Sequence, residues 1–522
     1  MRRSEAREKA LQSLKTKHTP KKGKVWLVGA GPSDPGLFTL KGKTVLSQAQ
    51  VVVYDALVGA GILAMIPDDA ETIYAGKRAG NHAMTQEQIN ELLVTKACEG
   101  KRVVRLKGGD PFLFGRGGEE LFALRANGIE YEVVPGVTSA IAVPAYNGIP
   151  VTDRSCASSV HIITGHKRAD KPLKLPYEAY VKAQGTLVFL MGLSALPDIV
   201  RGLLLAGMDP QTPSAVLERG TTAAQKRVCV PLGELEVAAG AAHMGTPSII
   251  VVGAVAAMSD QLAWFEKQML FGRRFVLTRP KERMEELAGR LRARGAEVIE
   301  LPVIETRPLP LPDTIKCAGD YDCLVFTSPA GVQIFFQMLF ESGQDVRVLG
   351  DTTIAAIGSG TAAALRGYGL LADLVPEVYD GASLGTLLGE ALPDNSRVLI
   401  PRSGIGNPEL VSCMEKRASE LEKSLSVTDL PIYETVPKTN RLIPLEVILE
   451  REEIDGVFFT SASTVRAFLK ANPKADPTKI TALCIGEMTA RTAREAGMNV
   501  YVAEEASVEG LVKLTEQAYV SK

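Results

Sequence analysis

The chain has 522 residues, of which 46% are hydrophobic and 23% charged, and its formal net charge at pH 7 is -1. This length exceeds what a single hydrophobic core can fill, so we expect two to four compact units. The near-zero net charge excludes a broadly basic nucleic-acid binder. The longest apolar run, residues 249–258, is too short to span a membrane. Seven scattered cysteines without a Cys-x-x-Cys pair favour reduced thiols, and hence a cytoplasmic location.

Residues 1–23 are rich in lysine and arginine and contain no apolar segment, which predicts a disordered basic lead-in rather than a secretory signal. In the first half, short apolar runs alternate with helical stretches from residue 24 onward, the pattern of a parallel sheet covered by helices in an α/β fold. Proline and glycine signals divide residues 24–271 into two subdomains, about 24–138 and 139–271. The clearest predicted strands are residues 25–28, 51–54, 102–106, 186–191, 248–252 and 275–278.

The second half of the chain contains an internal repeat. The sequence Leu-Pro-Val-Ile-Glu-Thr at residues 301–306 returns as Leu-Pro-Ile-Tyr-Glu-Thr at residues 430–435, and each copy is followed by Phe-Thr-Ser and then by Ile-Gly and Thr-Ala. Because the signals recur in the same order, chance similarity is disfavoured. The repeat predicts a bilobal domain over residues 272–522, with the repeated segments as a pair of crossing strands between two parallel-sheet lobes. Lobe one takes residues 272–306 and 437–522, and lobe two takes residues 307–436.

Two glycine-rich blocks follow predicted strands in the first half. Gly-Ala-Gly-Pro at residues 29–32 leads from a strand into a helix, where α/β sheets bind nucleotide-like ligands. Asp34 at the third glycine position distinguishes this block from the dinucleotide fingerprint. The second block, residues 105–120, turns on Gly108 and Gly109, which allow close backbone approach to a ligand, and presents Asp110. Two structural alternatives stay open: the first block serves only a tight turn, and Asp110 only caps the turn that follows it.

With these blocks in view, residues 24 to about 265 resemble the uroporphyrinogen-III C-methyltransferases of the tetrapyrrole methylase family. Ser33 and Ser139 replace the glycine and alanine usual in that family, and we expect little disturbance from either. The resemblance implies transfer of methyl groups from S-adenosylmethionine to carbons 2 and 7 of uroporphyrinogen III, which gives precorrin-2. Further matching segments are Tyr-Asp-Ala-Leu-Val at 54–58, Ala-Gly-Lys-Arg-Ala-Gly at 75–80, Pro-Gly-Val-Thr-Ser at 135–139 and Gly-Ile-Pro-Val-Thr at 148–152.

The same resemblance assigns site residues. It implies Asp55 as the catalytic base and Lys77 as the proton donor, and the polyanionic substrate makes Arg78 and Arg116 candidate carboxylate ligands. Structural roles stay open: a helix cap for Asp55, a surface pair for Lys77 and Arg78, and pairing with Glu119 for Arg116. No histidine or cysteine spacing suggests a metal site. The residues implied for the methyl donor are Pro32, Gly108, Gly109, Asp110, Leu113, Thr138, Ser139, Met191 and Gly220.

All five histidines lie at or before His243, so chemistry in the second half relies on hydroxyls, backbone amides, carboxylates or cations. From about residue 272 to the end, the chain resembles uroporphyrinogen-III synthase, on Leu-Thr-Arg-Pro at 277–280, Leu-Ile-Pro-Arg at 399–402 and the repeated turns. The resemblance implies closure of hydroxymethylbilane into a ring with inversion of one pyrrole, without a cofactor. Tyr433 is predicted near the leaving hydroxyl, because it departs from Ile304 at the equivalent repeat position. Carboxylate binding is predicted for Ser328, Thr361, Ser461 and Thr489, although turn and cap roles are equally open.

The sequence therefore predicts a bifunctional enzyme of tetrapyrrole biosynthesis, on a route toward sirohaem or cobalamin, whose partners are small-molecule substrates. The resemblance implies a homodimer through the methyltransferase half. Two alternatives stay open. The first half could methylate a later corrin intermediate, and the bilobal half could be a non-catalytic ligand-binding module.

Overall fold

The computed structural model describes residues 22–76, 84–165, 175–280, 284–404, 406–438, 442–443, 445–450 and 453–520. The chain divides into two compact units, residues 1–301 together with 440–522, and residues 302–439. Both units are α/β, so the predicted fold class is confirmed. The predicted lead-in lies outside the described residues except for its last two positions, and Lys77 and Arg78 also lie outside them. Within the described part of the chain, no helix is long and apolar enough to cross a membrane.

The larger unit begins with a five-stranded parallel sheet. Its strands are β1 (Lys24–Gly29), β2 (Val51–Tyr54), β3 (Glu71–Tyr74), β4 (Arg102–Lys107) and β5 (Glu130–Val134), in the spatial order β3-β2-β4-β1-β5. Every side chain of β2 is buried, as expected for a strand covered on both faces. The helices of this part are α1 (Leu40–Leu46), α2 (Ala60–Leu63), α3 (Gln86–Cys98) and α4 (Gly117–Ala126). Because the strands are parallel, their carboxyl ends meet at one edge of the sheet.

A second five-stranded sheet follows, and it is largely antiparallel. Its strands are β6 (Val160–Thr164), β7 (Thr186–Leu190), β8 (Pro213–Glu218), β9 (Lys226–Pro231) and β10 (Ser248–Val252), in the order β6-β7-β10-β8-β9. Strands β6 and β7 run parallel, and the other neighbours run antiparallel. The helices here are α5 (Ser139–Tyr146), α6 (Tyr177–Ala183), α7 (Leu196–Leu205), α8 (Leu235–Ala241) and α9 (Ser259–Leu262).

The chain then starts a third sheet with strands β11 (Arg274–Leu277) and β12 (Glu297–Glu300), separated by α10 (Glu285–Arg292). Helix α10 buries Leu287, Ala288 and Leu291 on one face, and the three/four-residue spacing of these side chains explains why this segment is helical. From β12 the chain enters the smaller unit and later returns to complete the third sheet.

The smaller unit has one mixed sheet. Its strands are β13 (Ile304–Pro308), β14 (Cys323–Phe326), β15 (Thr353–Ala356), β16 (Arg397–Ser403) and β17 (Ser426–Pro437), in the order β13-β17-β16-β14-β15. Strands β13 and β17 carry the two repeated segments and pair antiparallel, with Thr306 opposite Thr435, whereas the other neighbours run parallel. The helices are α11 (Pro329–Glu341), α12 (Ser359–Arg366), α13 (Gly381–Ala391) and α14 (Glu409–Glu420).

Back in the larger unit, the third sheet is completed by β18 (Gly456–Phe459), β19 (Thr481–Cys484) and β20 (Asn499–Val502). All five strands run parallel, in the order β12-β11-β18-β19-β20. The accompanying helices are α15 (Leu445–Glu450), α16 (Ala462–Ala471), α17 (Glu487–Glu495) and α18 (Val508–Val520). Strands β18 and β19 are each followed by a helix, as β14 and β15 are in the smaller unit, so the internal repeat of the sequence corresponds to a repeat of β–turn–α elements.

An aromatic cluster fills the core of the smaller unit. Phe336 on α11 is fully buried, and its ring stacks on Tyr368 with the centroids 4.4 Å apart. It also meets Phe335 edge-on at 5.2 Å and Phe326 at 6.2 Å. This ring therefore joins strand β14, helix α11 and the segment after α12.

We expect Phe336→Ala to lower the free energy of unfolding of the smaller unit by about 3–5 kcal/mol, because a buried ring is replaced by a cavity. Phe340→Ala on the same helix is the matched control: that ring is 46% exposed, and the expected loss is on the order of 1 kcal/mol. Chemical unfolding followed by circular dichroism measures both. Equal losses of unfolding free energy in the two variants would contradict the conclusion that the Phe336 ring holds this core together.

Candidate functional site

Three glycine loops approach one another at the carboxyl edge of the first sheet, where β1, β4 and β5 end. Gly31 and Gly109 pair through their backbones: the Gly109 N–H donates to the Gly31 oxygen at 2.8 Å, and the Gly31 N–H donates to the Gly109 oxygen at 3.2 Å. A Cβ on Gly136 would lie 2.2 Å from the Gly109 oxygen, and one on Gly29 would lie 2.5 Å from the Gly136 Cα. Larger residues at these positions would force the loops apart.

A cavity of about 950 Å³ opens beside these loops, within the larger unit. Such a volume suits a nucleoside-sized ligand together with part of a larger one. Gly109 has a φ of 66°, and a Cβ on it would meet no atom closer than 4.0 Å, so open space adjoins this backbone. The lining includes Asp55, Arg116 and every residue predicted for the methyl donor, namely Pro32, Gly108, Gly109, Asp110, Leu113, Thr138, Ser139, Met191 and Gly220.

Asp110 holds the loops in place. Its Oδ1 accepts the N–H groups of Phe112 at 2.8 Å and Leu113 at 3.1 Å, and its Oδ2 accepts the N–H of Gly136 at 3.1 Å. Asp110 therefore caps the turn that follows it, and its carboxylate joins the second glycine loop to the third. Thr138 caps helix α5, because its hydroxyl accepts the Ala140 N–H at the start of that helix.

Backbone strain concentrates around the cavity. Of the ten non-glycine residues with positive φ in the described part of the chain, six line the cavity. Such conformations cost free energy and gather at functional sites. Ser33 is one of them, with a φ of 100°, so the serine that was expected to cause little disturbance occupies a conformation that favours glycine. The six residues are Ser33, Phe114, Arg116, Met191, Arg219 and Thr221.

Asp55 follows β2 and faces the cavity. Its Oδ1 accepts the Leu57 N–H at 3.1 Å and the Gly108 N–H at 3.3 Å. The Arg105 Nη2 lies 3.9 Å from the Asp55 Oδ2. The carboxylate is thus oriented by two backbone amides and a cation, and its side chain is a quarter exposed.

Behind Asp55 lies a buried charge cluster that was not predicted from the sequence. Glu120 is fully buried, and its Oε1 accepts hydrogen bonds from the Arg105 Nε at 3.2 Å and the Lys107 Nζ at 3.0 Å. Its Oε2 is buried without a hydrogen-bond partner among the described residues. Burial, and next the positive charge of Arg105, lower the pKa of Lys107. The sequence does contain an indication of this cluster, because Arg105 and Lys107 interrupt the otherwise apolar strand β4 after its first residue.

Arg116 lies at the cavity but is not a free cation. Its Nε donates to the Glu119 Oε1 at 2.8 Å, and its Nη2 donates to the Glu119 Oε2 at 2.7 Å. Both side chains are about half exposed. Pairing with Glu119 is therefore compatible with binding of a substrate carboxylate by Arg116. A carboxylate of a polyanionic ligand can displace the solvent-exposed Glu119 carboxylate from the guanidinium.

In the smaller unit, Ser328 and Tyr433 come together. The Ser328 hydroxyl lies 2.9 Å from the Tyr433 hydroxyl and also accepts the Gly331 N–H at 3.0 Å, as the cap of α11. Tyr433 is 7% exposed and belongs to the hydrophobic core of this unit. Two hydroxyls thus meet at the N-terminus of a helix that follows β14, at the carboxyl edge of the parallel strands.

The other predicted hydroxyl residues lie in helix starts. Ser461 caps α16, and its hydroxyl lies 2.8 Å from that of Ser463. Thr361 and Thr489 occupy the first turns of α12 and α17 and are 3% and 4% exposed. Carboxylate binding by these two threonines stays a prediction.

Two family models divide the chain between them. A model of the tetrapyrrole (corrin/porphyrin) methylases matches residues 24–236, and a model of uroporphyrinogen-III synthase HemD matches residues 285–513. Both resemblances predicted from the sequence are thereby confirmed.

Known proteins are similar to nearly the whole chain or to about half to two thirds of it. The porphyrin biosynthesis protein HemD of Ruminiclostridium josui is 42% identical over 499 residues, which cover 95% of this chain and 98% of that protein. The uroporphyrinogen-III C-methyltransferase of Bacillus subtilis is 42% identical over 334 residues, which cover 63% of this chain and 68% of that protein. The crystal structure of the native uroporphyrin III C-methyltransferase of Thermus thermophilus is 40% identical, covers 45% of this chain and 99% of that one, and has a TM-score of 0.40. Because the Ruminiclostridium josui relative spans nearly the whole chain and two family models divide it, the chain belongs to the family of that porphyrin biosynthesis protein, as a fusion of a tetrapyrrole methylase with a uroporphyrinogen-III synthase.

Proposed function

We propose that the chain converts hydroxymethylbilane into precorrin-2 in two consecutive steps. The second half closes the bilane into uroporphyrinogen III with inversion of one pyrrole, and the first half methylates that product at carbons 2 and 7. The observation that carries the proposal is the cavity at the carboxyl edge of the first sheet, which is lined by every residue expected to contact a methyl donor. The names of the relatives favour uroporphyrinogen III over a later corrin intermediate, and the match to the synthase model favours a catalytic second half.

S-adenosylmethionine is the proposed donor, and it supplies an electrophilic sulfonium methyl group. The glycine loops fit such a ligand, because Gly109 leaves its backbone open to the cavity. These loops would hold the donor, which would supply its methyl group to a ring carbon of the macrocycle. The ring carbon bonds to the methyl group as the carbon–sulfur bond breaks, and a proton leaves the macrocycle.

Asp55 is the proposed acceptor of that proton. Two backbone amides fix its carboxylate at the cavity wall, so the oxygens keep their direction while the proton is transferred. The Arg105 Nη2 lies 3.9 Å from the Asp55 Oδ2, so a cation also stands beside the proposed base. The substrate brings eight carboxylates, for which Arg116 is a proposed ligand, and Lys77 and Arg78 retain their proposed roles as proton donor and carboxylate ligand.

For ring closure, we assign the site to the hydroxyl pair of Ser328 and Tyr433. The bilane loses its terminal hydroxyl, and a phenol held by a second hydroxyl can donate a hydrogen bond to that leaving group. The adjacent helix start offers backbone N–H groups to substrate carboxylates. Ser461 retains a proposed role in carboxylate binding, and no cofactor is proposed for this half.

The proposal includes a homodimer through the methyltransferase half and a cytoplasmic location. Phe112 and Phe114, 57% and 41% exposed, leave apolar surface near the cavity that supports an interface between copies. Free thiols on all seven cysteines suit a reducing compartment.

The test of the whole proposal is product analysis after incubating the full chain with hydroxymethylbilane and labelled S-adenosylmethionine. The expected product is precorrin-2 with two labelled methyl groups. Without the donor, uroporphyrinogen III should accumulate. Only the uninverted ring, or uroporphyrinogen III that stays unlabelled, would reject the corresponding half of the proposal.

We expect Asp55→Asn to lower methyl transfer to uroporphyrinogen III by about 10²–10⁴-fold, because the amide accepts the same backbone N–H groups but takes no proton. Ring closure should be unchanged. Asp209→Asn is the matched control, since the Asp209 carboxylate also accepts an N–H two residues further on, from Gln211, away from the cavity lining. Steady-state rates of both activities provide the measurement, and an Asp55→Asn rate near that of the control would exclude Asp55 as the base.

We expect Tyr433→Phe to slow ring closure by about 10–100-fold, because one hydrogen-bond donor to the leaving group is removed. Methyl transfer to preformed uroporphyrinogen III should be unaffected. Tyr321→Phe is the matched control, because Tyr321 is a buried tyrosine of the same unit whose hydroxyl likewise pairs with a hydroxyl, that of Thr428. Chromatography of the isomers I and III gives the rate of enzymic closure, and equal rates in both variants would contradict the assignment.

A further inference from the structure

The turn between β8 and β9, residues 219–225, adjoins the proposed donor site. Gly220 at its start is one of the residues expected to contact the donor, and Arg219 to Ala223 line the cavity. Arg219 and Thr221 have φ values of 46° and 70°, which are costly for residues with a Cβ. A turn with this strain keeps its shape only when surrounding contacts hold it.

The first of these contacts comes from the methylase half itself. The Thr221 hydroxyl donates to the backbone oxygen of Pro32 at 2.5 Å, and the Thr221 N–H donates to the Gln225 Oε1 at 3.0 Å. Thr221 and Gln225 are both buried. The turn is therefore attached to the first glycine loop, and a shift of one moves the other.

The second contact comes from the synthase half of the same compact unit. The Ala223 N–H donates to the Glu297 Oε2 at 3.0 Å, although the two residues are 74 positions apart. Glu297 begins strand β12, and the Arg274 Nη2 on the neighbouring strand β11 donates to the same oxygen at 3.1 Å. Both Glu297 and Arg274 line the cavity beside the turn.

Other contacts between the two halves accompany this hydrogen bond. Helix α2 of the methylase half contacts strand β12, and Leu442 packs against the hydrophobic core of the first sheet. The Glu297 carboxylate is three-quarters buried, so its bond to a backbone amide is shielded from water. The synthase half thus supplies part of the wall of the methylation cavity.

We propose that Glu297 is a positioning residue for the methyl-donor site, supplied by the synthase half, which fixes the 219–225 turn through the Ala223 amide. The inference rests on the proposed methyltransferase function. Because binding linkage is reciprocal, a donor that favours the ordered turn also favours the contact with the synthase half. The methylase then works at full donor affinity only when the two halves are joined in this arrangement.

Glu297→Ala in the full chain tests the inference. Titration calorimetry with S-adenosylhomocysteine, the demethylated donor, should give a dissociation constant about three- to tenfold higher than wild type, the size expected for one contact that acts through a turn. The Michaelis constant for S-adenosylmethionine should rise by the same factor, with the rate at saturating donor unchanged. Ring closure should keep its wild-type rate, which shows that the variant is folded.

Two further variants separate positioning from general stability. Glu297→Gln keeps an oxygen that accepts the Ala223 N–H, so its affinity should stay within about twofold of wild type. Glu453→Ala removes a different carboxylate partner of Arg274, whose Nη1 donates to the Glu453 Oε2 at 3.3 Å. This change leaves the 219–225 turn intact, so the variant should bind S-adenosylhomocysteine with wild-type affinity.

The outcomes are distinguishable. A wild-type chain that fails to bind S-adenosylhomocysteine would reject the proposed methyltransferase function itself. If wild type binds and Glu297→Ala binds equally well, the inference is wrong. It is also wrong if Glu453→Ala weakens binding as much as Glu297→Ala, or if Glu297→Ala lowers ring closure in parallel with donor affinity, because either result points to a general structural role.

Discussion

The methylase half depends on one steric constraint: the loops after β1, β4 and β5 approach so closely that no side chain fits between them. A Cβ on Gly136 would lie 2.2 Å from the Gly109 oxygen. This approach brings the Asp110 carboxylate within reach of amides from two loops and leaves one open face of backbone. The cavity, the proposed donor site and the placement of Asp55 against Gly108 all follow from it.

Charge in this half is arranged in two layers. Arg105, Lys107 and Glu120 form a buried layer, in which one carboxylate oxygen accepts hydrogen bonds from both cations. Such a cluster is expensive to desolvate and is tolerated where it serves a site. Arg116 and Glu119 form an outer layer that is open to solvent. The inner layer orients the proposed base, and the outer layer is accessible to an acidic macrocycle.

The internal repeat shows how one structural pattern acquires different chemistry. Ser328 and Ser461 both cap helices that follow buried strands, so the repeated Thr-Ser signal has a structural cause in each copy. Tyr433 breaks the symmetry, because it adds a hydroxyl beside Ser328 on a strand whose repeated partner carries Ile304. The candidate site for ring closure therefore lies where the two copies differ.

Six strands were predictable from the sequence, since their apolar runs are local, and so were the glycine loops, since their close approach needs residues without a Cβ. The tertiary structure alone decided which side chains are accessible. Thr361 and Thr489 of the repeated Ile-Gly…Thr-Ala turns are buried, and Ser33 has a φ of 100°, which no local sequence pattern indicates. It also brought Glu297 to Ala223 across 74 positions, a contact that no local pattern encodes because it depends on how separately folded sheets pack.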